Sequence, residues 1–143
     1  MIASRPRPTP DPLSSVYWKA AADGTLLLQR CTSCRRAQFY PRQRCIGCSG
    51  ELEWVPSRGV GTVHSFTIVR QHATPPFRDM VPYVLAIVDL EEGVRMMSNV
   101  IDCEPDDVHI GLEVEVTMHV MDSDLAIPLF RPLSDPTHAG GAS

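Results

Sequence analysis

The sequence predicts a mainly β protein built from an N-terminal helix, a four-cysteine metal module and a five-stranded antiparallel barrel. Four of the five cysteines fall within 18 positions, from Cys31 to Cys48. A single amphipathic helical pattern precedes them, and strand patterns without helical periodicity follow residue 58. With 143 residues, 43% of them hydrophobic, the chain can bury one ordinary core, or one small core plus a metal-stapled module.

Residues 1–30 are expected to form an extended arm and a helix. The first 12 residues contain four of the 13 prolines, a composition typical of a poorly ordered arm. Between residues 12 and 22 an apolar stripe recurs at i, i+3, i+4 and i+7, made of Leu13, Val16, Tyr17 and Ala20. Tyr17 and Trp18 lie on adjacent faces and cannot both be buried on one surface, so one of them is expected to contact a partner.

Residues 31–57 are expected to bind a metal. Cys31 and Cys34 form one Cys-x-x-Cys motif, and Cys45 and Cys48 form a second one after ten residues. Two such turns supply the four thiolates of a tetrahedral zinc site, which predicts a rubredoxin-like zinc ribbon. Iron in the same cage, and thiol-disulfide exchange, are the alternatives; the exchange motif, however, is a single Cys-x-x-Cys that opens a helix. A four-sulfur site is closed, so the metal is expected to be structural.

Residues 58–132 are expected to form the barrel. The five strand patterns cover residues 60–70, 83–90, 94–101, 112–120 and 125–130. Five short strands without connecting helices favour an OB-fold, in which Pro128 restricts the last strand to an edge. Cys103 has no partner in the pattern and is expected to be a small buried residue, and residues 133–143 are expected to be a flexible tail.

The charge distribution separates two classes of function. Residues 1–58 contain nine Lys/Arg and four Asp/Glu, whereas residues 59–143 contain four and 13. A zinc ribbon with an OB-fold is also a nucleic-acid-binding combination, but single-strand binding needs a basic groove with aromatic platforms. The acidic barrel half disfavours that alternative. No stretch has the 18 apolar residues of a membrane span, and the N-terminal segment lacks a secretory pattern, so we expect a cytoplasmic protein that does not bind membranes.

The order of motifs resembles a known family. YWKAAADG, LLLQRC, CTSC, FYPRQRC and CIGC, followed by RGVGTVHSFTIV, VPYVLAIVDLEEGVR and LFRP, are similar to the zinc-ribbon/OB-fold proteins of the domain of unknown function thirty-five. The likeness covers residues 12–132. It implies a hetero-oligomer around a partner dimer, in which a thiolase, a thiolase-like 3-hydroxy-3-methylglutaryl-CoA synthase or a lipid-transfer-type retro-aldolase acts on acyl-CoA thioesters. It also implies that the nucleophile belongs to the partner and that Cys31, Cys34, Cys45 and Cys48 bind structural zinc.

The residues agree with a subunit that has no chemistry of its own. The sequence contains neither Gly-x-Ser-x-Gly nor His-Glu-x-x-His, and no cysteine has an identifiable activating neighbour. The expected role is to brace the partner and to wall its CoA channel with the barrel and the loop of residues 74–82. The candidate contacts to CoA or to the partner are His72, Phe77, Arg78, Tyr83, Arg131, Tyr17 and Trp18.

Overall fold

A computed structural model describes residues 8–71 and 77–133 of the chain. One helix, α1 (Ser15–Ala22), precedes a three-stranded ribbon and a five-stranded barrel. The ribbon strands are β1 (Leu27–Cys31), β2 (Ala37–Gln38) and β3 (Leu52–Pro56). The barrel strands are β4 (Val60–Val69), β5 (Tyr83–Leu90), β6 (Arg95–Val100), β7 (Glu113–Asp122) and β8 (Leu125–Pro132), with 3-10 turns at Phe77–Asp79 and Pro105–Asp107. Residues 1–7, 72–76 and 134–143 lie outside the described residues. They include His72, the first seven residues of the predicted arm and almost all of the predicted tail.

Helix α1 begins three residues after the predicted start because Asp11 and Ser14 close the turn before it. The Ser14 N–H donates to the Asp11 carboxylate at 2.7 Å, and the Asp11 N–H donates to the Ser14 hydroxyl at 3.1 Å. The hydrogen bonds from Ser14 lower the pKa of Asp11. The helix buries Tyr17 and Ala21, whereas Val16 is 44% exposed, so the predicted stripe is wrong at Val16.

The ribbon is an antiparallel sheet in the order β2-β1-β3. Its central strand β1 pairs along its whole length with β3, from Leu27 opposite Pro56 to Cys31 opposite Leu52. Cys31 is thus the last residue of the central strand and is held there by its pairing with Leu52. On the other side β1 pairs with β2 through Gln29 and Arg30 only, which leaves room for the turns that carry the other cysteines.

The barrel closes in the order β4-β5-β6-β8-β7, with β7 returning to β4. Four of these pairs are antiparallel, but β6 and β8 are parallel and join at Val100 and Phe130. The prediction of a wholly antiparallel barrel is therefore wrong. A ring with an odd number of strands cannot alternate direction all the way round, so a closed five-stranded barrel requires at least one parallel pair.

Strand β8 pairs with β6 on one side and with β7 on the other, so the prediction that Pro128 marks an edge strand is also wrong. Pro128 lies opposite Met118 of β7 and has no N–H to donate. The closure to β6 instead uses the Ile101 N–H, which donates to the Phe130 carbonyl at 2.8 Å. The Pro128 carbonyl accepts the Ser98 hydroxyl at 2.9 Å. The proline is tolerated because the pairing of β6 with β8 is so short.

A single hydrophobic core links the helix, the ribbon and the barrel. Tyr17 of α1 and Leu28 of β1 belong to the same buried cluster as Val63, Val88 and Phe130 of the barrel. Helix α1 also packs against β8, whose residues Leu125, Ala126 and Leu129 are buried. Among the described residues, no helix is long and apolar enough to span a membrane.

Candidate metal centre and its surroundings

The two Cys-x-x-Cys turns have the same backbone hydrogen bonds. The Arg35 N–H donates to the Cys31 carbonyl at 3.0 Å, and the Ser49 N–H donates to the Cys45 carbonyl at 2.9 Å. Both donors have positive φ, 66° at Arg35 and 63° at Ser49, which turns the chain sharply after the second cysteine. Each motif therefore directs two sulfurs toward one point.

The four sulfurs converge. The Sγ atoms of Cys31, Cys34, Cys45 and Cys48 all lie within 4.8 Å of one another, and the thiols are free. Cys31 Sγ lies 3.5 Å from Cys48 Sγ, and Cys34 Sγ lies 3.7 Å from Cys45 Sγ. Sulfurs placed tetrahedrally 2.3 Å from a zinc ion are about 3.8 Å apart. The donor set fits a structural zinc ion, and the predicted ligands are confirmed as a cluster.

Backbone donors favour the thiolate form of Cys31 and Cys45, the leading cysteine of each motif. The N–H groups of Ser33 and Cys34 donate to Cys31 Sγ at 3.3 and 3.4 Å, and the Gly47 N–H donates to Cys45 Sγ at 3.3 Å. The hydrogen bond from the Cys34 backbone is the main cause that lowers the pKa of Cys31 to about 6. Backbone hydrogen bonds from Cys48 and Gly47 lower the pKa of Cys45. Zinc binds the thiolate, so these donors prepare the site for the ion.

Gly50 lies directly against the sulfurs, which gives a sharp test of the site. A Cβ at this position would lie 2.8 Å from Cys31 Sγ and 3.2 Å from Cys48 Sγ. We expect Gly50→Ala to weaken zinc binding by about 10-fold or more, since changes next to metal ligands have effects of that order. Competition with a chromogenic chelator measures the affinity. Gly47→Ala is the matched control, because its Cβ would approach closely only the flexible end of the Arg36 side chain, at 2.8 Å, and would lie at the ordinary contact distance of 3.8 Å from Cys45 Sγ. Equal zinc affinity of the two variants would show that the space beside Gly50 is not required for zinc binding.

Two glutamines that the sequence analysis missed hold the loop between β2 and the second cysteine pair. Gln29 and Gln38 are each only 4% exposed. Gln29 accepts from the Arg42 N–H and donates to the Arg42 carbonyl, both at 2.8 Å. Gln38 accepts from the Ile46 N–H at 3.0 Å and donates to Gln29 Oε1 at 3.2 Å. Leu28 of β1 faces the core, so its neighbour Gln29 and the paired Gln38 lie on the opposite face, beneath the loop, where buried amides need partners.

Removal of the Gln38 amide should destabilise the ribbon. Gln38→Leu removes the acceptor of the part-buried Ile46 N–H and one of the two donors to Gln29 Oε1, and we expect the free energy of unfolding to fall by about 1 to 3 kcal/mol. Denaturant titration of the zinc-loaded protein measures this change. Exposed Gln43 in the same loop gives the control, because Gln43→Leu makes the same chemical change at the surface. Losses of equal size at both positions would show that the Gln38 hydrogen bonds are not the cause.

An aromatic cluster joins α1 to the ribbon. The ring centroid of Tyr17 lies 4.9 Å from Trp18, 5.5 Å from Phe39 and 5.7 Å from Tyr40. Burial raises the pKa of Tyr17, whose side chain belongs to the core. Of the two candidate anchors on the helix, Trp18 is therefore the one with exposed surface.

The other candidate contacts are spread over the barrel. Arg131 on β8 donates to the Glu115 carboxylate at 3.0 Å, Tyr83 begins β5, and Arg78 is exposed in the Phe77–Asp79 turn. The Phe77 side chain and all of His72 lie outside the described part. Cys103 is half-buried, and burial together with nearby Asp107 raises the pKa of its thiol, which fits an unreactive residue.

Comparisons with known proteins place these features in a family. The domain described as "ChsH2, rubredoxin-like zinc ribbon domain" matches residues 18–53, and "ChsH2, C-terminal OB-fold domain" matches residues 54–119. A DUF35 domain-containing scaffold protein of Methanocaldococcus jannaschii is 37% identical over 98 residues, covering 66% of this chain and 68% of that protein. This chain belongs to the DUF35 family. The family resemblance and the zinc ribbon predicted from sequence are thus confirmed.

Two further relatives bear on function. A solved structure of the "Ltp2-ChsH2(DUF35) aldolase" contains a chain that is 31% identical, with a TM-score of 0.77 over 88% of this DUF35 protein and 98% of that chain. A probable enoyl-CoA hydratase alpha subunit of Thermomonospora curvata is 34% identical over 132 residues, 91% of this chain. The present chain spans only 40% of that subunit and 66% of the DUF35 scaffold protein of Methanothermobacter thermautotrophicus.

Proposed function

We propose that this chain is a non-catalytic accessory subunit of an enzyme that acts on acyl-CoA thioesters, of the lipid-transfer retro-aldolase or thiolase type. It would dock on the partner, stabilise it and wall part of its CoA channel. The observation that carries the proposal is the structural likeness to a chain of the solved Ltp2-ChsH2(DUF35) aldolase, of which 98% is covered. The free state of all five cysteines suits the reducing cytoplasm, where we place the complex.

The chemistry of the site supports an accessory role. Four sulfur ligands fill the tetrahedral positions of zinc, so the ion would fix the fold of the ribbon and have no open position for substrate. The chain's own residues then act by shape and charge. The exposed Arg78 and the face of the Phe77–Asp79 turn remain candidates for contacts to the CoA phosphates, since an arginine fork binds phosphate oxygens in pairs.

The barrel surface favours a protein partner over nucleic acid. On the outer face of β4, β5 and β6 a shallow groove of about 220 Å³ is lined by Leu85, Ile87 and the exposed Met97. The aromatic residue of its lining, Phe66, packs against the core, so the groove offers little aromatic surface on which bases could stack. Barrel arginines are also neutralised locally. The pairs are Arg58 with Glu91, Arg70 with Asp106, Arg95 with Asp89, and Arg131 with Glu115.

The hydratase names of two relatives suggest a second class of partner. The 3-oxo-4,17-pregnadiene-20-carboxyl-CoA hydratase alpha subunit of Mycobacterium tuberculosis matches over 46% of this chain and 21% of its own length. Most of both hydratase subunits therefore has no counterpart here. We do not assign hydratase activity to this chain, but a hydratase belongs among the partners to be tested.

Co-expression tests the proposal. The chain is expressed with a lipid-transfer-type, a thiolase-type or a hydratase protein of its source organism, and the complexes are isolated by gel filtration with light scattering. We expect a stable hetero-oligomer with a lipid-transfer-type or thiolase-type protein and a higher rate of acyl-CoA turnover than the partner has alone. Failure to form a complex with any of the three, together with salt-sensitive binding of single-stranded oligonucleotides, would replace this proposal with the nucleic-acid alternative.

A further inference from the structure

The loop of residues 40–46, here called the ribbon loop, carries two exposed arginines. Arg42 and Arg44 are exposed, and within residues 8–71 and 77–133 no carboxylate forms an ion pair with either of them. This contrasts with the barrel, where Arg58 and Arg70 are paired with carboxylates. A partner with negative charge would therefore meet two free guanidinium groups here, and neither would have to give up an internal ion pair.

Two buried glutamine side chains fix the backbone of the ribbon loop by hydrogen bonds. The buried Gln29 amide makes two hydrogen bonds of 2.8 Å to the backbone of Arg42, and Gln38 accepts from Ile46. Gln38 also donates to the Arg44 carbonyl at 3.4 Å. A loop that is already ordered loses little conformational entropy on binding, which favours its use as a recognition surface.

Both ends of the ribbon loop are apolar and exposed. Tyr40 is 40% exposed and Ile46 is 67% exposed. Ile46 also lines a groove of about 540 Å³ between the ribbon and the barrel, with Phe39, Leu90 and Val94 among its other apolar residues. Asp89 and Arg95, which form an ion pair at 2.7 Å, line the same groove, so it is apolar only in part. Tyrosine and arginine beside such a groove form the composition enriched at protein interfaces, whereas a phosphate site needs only the cationic part.

We propose that the ribbon loop and the adjoining groove form the docking surface for an acidic segment of the partner enzyme, with an apolar side chain that enters the groove beside Ile46. The inference rests on the proposed function and deepens it by naming the surface. Carboxylates of that segment would form ion pairs with Arg42 and Arg44, because a guanidinium group can donate two parallel hydrogen bonds to one carboxylate. This would orient the barrel relative to the partner.

Charge reversal in the purified complex tests the surface. The variant Arg42→Glu/Arg44→Glu is compared with Arg58→Glu/Arg70→Glu, which changes the net charge equally on the barrel. We expect the Kd for the partner, measured by calorimetry at two salt concentrations, to rise at least 100-fold in the first variant and less than threefold in the second. The first variant should keep its zinc and its circular dichroism spectrum.

A second pair of variants tests the groove. Ile46→Asp places a charge at the groove, and Ile110→Asp makes the same change at a barrel residue that is 70% exposed. We expect at least 10-fold weaker partner binding for Ile46→Asp only. A complex that tolerates both ribbon-loop variants within threefold overturns this inference and leaves the proposed function intact. Loss of binding to CoA or to an oligonucleotide, with partner binding unchanged, overturns it in favour of a phosphate ligand. Absence of any wild-type complex removes the proposed function itself and the surface with it.

Discussion

Replacement of one metal ligand, Cys45→Ser, should abolish stoichiometric zinc and unfold the ribbon. The ribbon sheet has only three short strands, and binding of structural zinc by small modules contributes roughly 10 to 16 kcal/mol, as much as the whole stability of a typical domain. Leu28 of the ribbon packs in the same core as Val88 of the barrel, so the barrel should lose support as well. We expect a fall in the melting temperature on the order of 10 °C or more.

Hydrogen exchange and elemental analysis provide the measurement. In the variant, amides of β1 and β3 should exchange at the rate of an unfolded chain, while barrel amides keep part of their protection. Cys103→Ser is the matched control, since Cys103 lies outside the sulfur cluster and the variant should keep one zinc per chain. If Cys45→Ser retains full zinc and a protected β1, then the cluster is not the source of the ribbon's stability.

Truncation of the Phe130 side chain, which lies where β6 and β8 close the barrel, should cause the second large loss of stability. Phe130 is fully buried and pairs with Val100 across the parallel junction and with Val116 on the other side. Phe130→Ala leaves a cavity at the point where the ring of strands is joined by few backbone bonds. We expect the free energy of unfolding to fall by about 3 to 5 kcal/mol.

Phe130→Leu keeps most of the buried volume and should lower the same free energy by less than about 1.5 kcal/mol. Denaturant unfolding of both variants, followed by tryptophan fluorescence, gives the comparison. Exchange of the Ile101 amide, which donates to the Phe130 carbonyl, reports locally on the junction. An equal fall in the free energy of unfolding in both variants would show that the aromatic side chain of Phe130 does not support the junction of β6 and β8. An unchanged exchange rate of the Ile101 amide in Phe130→Ala would show the same.

The metal centre could be predicted from the sequence because its determinants are local. Each Cys-x-x-Cys motif fixes its own turn, and the spacing of Cys31, Cys34, Cys45 and Cys48 suffices to predict the zinc ligands. The strand of residues 83–90 was also predicted with its observed bounds, since a run of apolar residues between turn signals is a strong pattern.

The errors concern relations between distant segments. The parallel pair of β6 with β8 depends on ring closure, which no local pattern encodes, and the edge assigned to Pro128 failed for the same reason. Val16 was misplaced because the face that α1 buries depends on its packing against β8. The hydrogen bonds of Gln29 and Gln38 to the loop were missed because polar residues in a strand pattern are usually exposed, whereas the loop covers both of these side chains. The contacts to CoA or a partner stay predictions.

The repeated backbone of the two cysteine turns has a consequence for how this family can vary. Thr32 and Ser33 stand in the first turn where Ile46 and Gly47 stand in the second, yet the carbonyl of the leading cysteine accepts the same bond in both. The shared hydrogen bond therefore fixes the path of the main chain in both turns without a requirement for particular side chains at the two intervening positions. The two residues between the cysteines of each motif can therefore be substituted to fit a different partner protein without displacement of the four sulfurs.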